Sequence, residues 1–174
     1  MEQILALPWH GPLERELLEE AALTCGKSIF IASSVRAIVS RNDKSAVPSE
    51  LMIIDSTWAP GLLMAIDTEL HSLAEQSVPT ILTQCQPSSA AQALDRKLNI
   101  VATISPLEEF TSRLPQLICG FFELRANLAG GVVQAAHFQP LVETILDQPA
   151  RDNTFFRRAL RRQEASRHGR SAPF

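Results

Sequence analysis

The chain has 174 residues, 45% of them apolar and 20% charged, with a formal net charge of −3; this is enough for one domain with a real core plus an appendage. No apolar run approaches the roughly 20 residues that cross a bilayer, and Met1-Glu2-Gln3-Ile4 lacks the basic start and apolar core of a secretory leader, so the expectation is a cytoplasmic protein. Three cysteines, Cys25, Cys85 and Cys119, and four histidines are scattered without pairing or ligand spacing. That argues against a zinc motif or a disulfide framework, implies neither metal nor cofactor, and leaves the cysteines as small buried apolar residues.

Charge is distributed unevenly. Residues 151–174 hold seven arginines against Asp152 and Glu164, a balance of about +5, which leaves nine basic and seventeen acidic groups in the other 150 residues, about −8. An acidic body with a basic tail suggests different partners for the two parts.

In chain order, Gln3–Leu7 is a short apolar run stopped by Pro8 and reads as a first strand. From Leu13 the positions Leu17, Leu18, Ala21 and Ala22 repeat at helical spacing, with Pro12 suited to a first turn and Gly26 to the stop. Ser28–Ala32 is β-branched and aromatic, a second strand, and Ser33-Ser34 leads into a weaker helix over residues 35–40. Leu51-Met52-Ile53-Ile54-Asp55 is the third strand, buried on both faces by its pattern.

After Pro60-Gly61, the residues Leu62, Leu63, Ile66, Leu70 and Leu73 predict one amphipathic helix. Val78–Thr83 is a fourth strand, Ala90–Leu98 a helix, and Asn99–Ile104 a fifth strand. Ser105-Pro106-Leu107-Glu108 has the pattern of a helix start, with Ser as N-cap and Pro in the first turn. The helix that follows runs toward Leu124, with Pro115 expected to kink or interrupt it. Beyond Gly130-Gly131, Val132–Leu146 predicts a helix interrupted near Pro140, and Thr154–Arg167 another.

Five strands alternating with five helices predict a doubly wound α/β domain with a parallel sheet over residues 1–126, its alternate helices on opposite faces. Residues 127–174 are expected to form a helical, basic extension, disordered at its end. Asp55 then closes a buried strand at the edge where open α/β sheets gather ligands and chemistry, although an Asp in Asp55-Ser56-Thr57 also suits a turn or a cap.

With these units laid out, the first 125 or so residues resemble the receiver domain of bacterial two-component response regulators. Ile29-Phe30-Ile31-Ala32-Ser33-Ser34 resembles the family's second strand and its exit. Leu51–Asp55 resembles the strand that bears the phosphoacceptor Asp, with Pro60-Gly61 close to the Pro-Gly that follows it. Thr83 matches the Ser or Thr ending the fourth strand, and Ser105-Pro106 the Lys-Pro ending the fifth. The resemblance implies a flavodoxin-like strand order of 2-1-3-4-5.

Departures are as specific as the matches. Pro8-Trp9-His10 stands where the family carries a pair of acidic residues, Ser105 replaces the lysine, and Ala102 takes the aromatic switch position. An aspartate accepts a phosphoryl group poorly unless a divalent ion offsets the charge repulsion, and magnesium is held by carboxylates and waters. Ser105 cannot supply the lost positive charge. The expectation is a pseudo-receiver, in which Asp55 marks the phosphoacceptor position and Pro8, Trp9, Thr83, Ser105 and Pro106 line its pocket.

Such a module would bind a protein partner (a kinase, a transcription or signalling complex) or form a homodimer. Trp58 and the basic strip Arg157, Arg158, Arg161 and Arg162, opposite Phe155, Phe156 and Leu160, are the candidate contact residues. The strip also suits nucleic-acid phosphates or an anionic surface. The alternative is a flavodoxin-like enzyme or small-ligand binder. Against it, no strand is followed by a Gly-rich phosphate loop.

Overall fold

The structure is a computed structural model, and it describes residues 4–8, 11–42, 49–83, 88–104, 110–129 and 132–147. The strands are β1 (Ile4–Leu7), β2 (Ile29–Ile31), β3 (Leu51–Asp55), β4 (Pro79–Thr83) and β5 (Asn99–Thr103). Around them lie α1 (Gly11–Thr24), α2 (Val35–Asn42), a single 3-10 turn (Ser56–Trp58), α3 (Ala59–Thr68), α4 (His71–Glu75), α5 (Ser89–Lys97), α6 (Phe110–Asn127) and α7 (Ala135–Asp147).

All five strands are parallel, in the order β2-β1-β3-β4-β5. This is the doubly wound parallel sheet expected from the alternation of elements, in the flavodoxin-like order that the resemblance implied. The period of two along each strand divides the core. Ile4, Ala6, Leu51, Ile53, Ile81 and Val101 belong to one apolar cluster with α1, α6 and α7; Leu5, Leu7, Met52, Ile54 and Leu82 belong to another with α2, α3, α4 and α5.

The helices do not alternate between faces as expected. Crossovers from β2 to β3, β3 to β4 and β4 to β5 all advance in one direction, so right-handedness sends α2, α3 and α5 to the same face. Only the step from β1 to β2 runs the other way, and α1 lies on the opposite face. There it would cover part of the sheet alone; α6 and α7 fill the rest.

Other differences are local. The predicted helix over 62–73 breaks after Thr68, and Leu70, buried, becomes the N-cap residue before the short α4. Neither Pro115 nor Pro140 interrupts its helix. Each removes one N–H from a backbone ladder, and each helix keeps its buried apolar stripe, which outweighs that local loss. The predicted helix over 154–167 lies outside the described residues.

α7 is part of the main core. Phe138, Val142 and Ile145 are buried in the α1/α6 cluster, and the Phe121 ring meets both Phe122 and Phe138 edge to face, with centroids 5.2 and 5.7 Å apart. Gly120 allows the close approach of α6 to α7: a Cβ built there would stand 2.9 Å from Leu141 Cδ2. That methyl ends a flexible side chain and can move. Gly120→Ala is therefore expected to fold normally, the gain in helix propensity offsetting the crowding, whereas Gly120→Leu should cost about 1–3 kcal/mol by overpacking. Urea titration of the two variants distinguishes these outcomes.

Cys25 and Cys119 correct the reading of the cysteines as isolated apolar residues. They are joined by a disulfide, with a Cα–Cα distance of 5.6 Å and a sequence separation of 94. Sequence separation hid the pair, because only the packing of α6 on α1 brings the two positions together. Cys85 lies outside the described residues.

Candidate functional site at the carboxyl edge of the sheet

Asp55 is placed by the strand that carries it. Four apolar residues, all buried, drive β3 into the middle of the sheet, and the parallel register sets Asp55 opposite Thr83 at the end of β4. Both lie at the carboxyl edge, and each is only 1% exposed. By strand periodicity they share the face of Ile53 and Ile81.

A buried carboxylate needs partners. Asp55 Oδ1 accepts two hydrogen bonds from one residue, Thr57: from its backbone N–H at 3.0 Å and from its hydroxyl at 2.7 Å. Asp55 is thereby the N-cap of the 3-10 turn, with extended backbone at φ −70° and ψ 134°. Its second oxygen, Oδ2, is buried without a hydrogen-bond partner. Among the described residues, no cation lies within ion-pair distance of it.

The neighbouring strand end offers no acid. β1 leads into Pro8, whose carbonyl accepts a hydrogen bond from Trp58 Nε1 at 3.1 Å. The half-buried indole packs against the α2–α5 side of the core while its N–H closes this carbonyl. Trp58 thus ties the β3–α3 connection to the end of β1. Thr83 turns its hydroxyl to the Ile54 carbonyl, 3.4 Å away.

Of the residues expected at the site, Asp55, Pro8, Thr83 and Trp58 come together around the ends of three neighbouring strands. Trp9, Ser105, Pro106, Arg157, Arg158, Arg161 and Arg162 lie outside the described residues. The turn or cap reading of Asp55-Ser56-Thr57 is borne out, with Thr57 as the donor that the sequence left unspecified. The spacing of an Asp two residues before a Thr was its only signal, and that spacing is common in turns.

Among the described residues there is no group of three acidic, His or Cys side chains fit to hold a metal ion. A groove of about 590 Å³ lies at the opposite, amino edge of the sheet, lined in part by Ser77, Arg96, Asn99 and Gln134. Ligands of open α/β sheets gather at the carboxyl edge, so its position lends no weight to the ligand-binding alternative. No described helix is long and apolar enough to cross a membrane.

With this geometry in hand, comparison with known proteins identifies no relative: no protein-family model, no curated protein and no solved structure matches the chain.

Proposed function

We propose that the chain is a receiver-like regulatory module that works through protein–protein contacts, without ordinary magnesium-dependent phosphorylation of Asp55. One observation carries this reading. Asp55 stands at the end of the central strand, where a receiver holds its phosphoacceptor, yet one oxygen is engaged by Thr57 and the adjacent strand end presents Pro8.

The chemistry follows from what surrounds the carboxylate. Attack on a phosphoryl group requires the negative charges of nucleophile and substrate to be offset, normally by a divalent cation and a lysine. Magnesium bound through a single buried carboxylate would lack the further acidic ligands such sites use. Thr83 retains a hydroxyl but no charge. The fold supports the same reading through its strand order, and Trp9 and Ser105 support it by sequence alone.

Incubation with acetyl phosphate and magnesium, followed by intact-mass measurement, tests it. The expected result is an unchanged mass. A gain of one phosphoryl group that Asp55→Asn abolishes would overturn the proposal. Capture of proteins from the native cell, using the chain with and without residues 151–174, tests whether the basic segment contributes to partner binding.

A further inference from the structure

We infer that Cys25–Cys119 is a redox-operated staple, which a dithiol reductant opens in the folded protein to loosen the layer formed by α6 and α7 while leaving the sheet intact. Three features of the structure lead there, and none depends on Asp55.

The first is position. Cys25 follows the last turn of α1 and Cys119 lies in the second half of α6, so the bond crosses the seam between the two helices. α6 in turn carries α7, through Phe121, Phe138 and the Gly120–Leu141 approach. A single covalent link at this seam restrains both helices against α1.

The second is access. Cys25 and Cys119 are only half-buried, and Gly26, next to Cys25, has a φ of +66° with nothing within 4 Å of where its Cβ would be. The partial exposure of both cysteines leaves the bond within reach of a thiolate from solvent. Exchange then balances without any other reactant. One thiolate of the dithiol attacks a cysteine sulfur, forming a mixed disulfide and releasing the other cysteine as a thiolate. The second thiol of the reductant displaces the first cysteine and closes its own disulfide, so that two electrons and two protons pass to the protein.

The third is what remains after opening. Leu18, Ala21 and Ala22 of α1 still pack with Leu114, Leu117, Ile118 and Phe121 of α6 in one cluster. Beside the cysteines, Glu50 Oε2 bridges Lys27 at 3.8 Å and Arg125 at 2.7 Å, and the Lys27 ammonium lies 4.5 Å from the Phe122 ring centroid. These contacts hold the seam noncovalently. Reduction therefore enlarges its motion without abolishing the fold.

The test compares the full-length Cys85→Ser protein, oxidised and then reduced with dithiothreitol, by thiol alkylation and hydrogen exchange. Expected are no alkylated cysteine before reduction and two after it. Amides of residues 110–127 and 135–147 should then exchange about tenfold faster, with those of β3 and β4 unchanged. The Cys25→Ser/Cys119→Ser variant should match the reduced protein and ignore dithiothreitol. Free Cys25 and Cys119 thiols after mild oxidation would overturn the inference. So would equal exchange in the two redox states, or loss of protection throughout the sheet on reduction.

Discussion

Phe121→Ala is expected to lower the free energy of unfolding by about 3–5 kcal/mol. The residue is fully buried in α6, and its ring is the contact shared by Phe122 and by Phe138 of α7. Truncation would leave a void where α6 and α7 meet above the sheet. Close-packed interiors relax only partly around such a void, so the loss exceeds the transfer free energy of the ring.

Phe138→Ala should cost a similar amount, because Phe138 is also fully buried. The double variant is expected to lose less than the sum of the two, by roughly 0.5–1.5 kcal/mol, since each single change already removes the ring pair. Urea titrations of the four proteins supply the cycle. Purely additive losses would mean that the two rings contribute independently, and a loss under about 1 kcal/mol at Phe138 would detach α7 from the cooperative core.

Arg113→Ala is expected to cost about 2–3 kcal/mol. Arg113 is 6% exposed, a rare place for a guanidinium, and it donates a hydrogen bond to the carbonyl of Ile145 in the last turn of α7. The last carbonyls of a helix have no donors from the helix itself, and a cation beside them complements its dipole. Arg113 thus closes the end of α7 from α6. Arg113→Met keeps the apolar stem but loses the cap, and should recover only a small part of the stability. Amide exchange over residues 135–147 should rise in both variants. Unchanged exchange there would show that water replaces the guanidinium at the Ile145 carbonyl.

β3 was the most legible element, because Leu51–Ile54 is apolar at every position and Asp55 ends it abruptly. A strand covered on both faces requires that pattern, whatever packs on it. Prolines misled for the converse reason. Pro115 and Pro140 are local signals, and the burial of α6 and α7 against the sheet overrides them. The candidate site was legible only where one residue defined it. Asp55 and Thr83 end their strands, but the service of Trp58 to Pro8 spans 50 residues and has no sequence signal.

By itself, then, the sequence determined the alternation of strands and helices, the two-sided burial of β3 and the place of Asp55 at a strand end. These follow from the periods of two and 3.6 that apolar residues must keep. Tertiary structure alone decided which helices share a face, the joining of Cys25 to Cys119, the tie of Trp58 to the Pro8 carbonyl and the entry of α7 into the core. The physical reason is the same throughout: periodicity is written in neighbouring residues, whereas a contact across the sheet depends on how whole elements pack, and its partners need share no pattern along the chain.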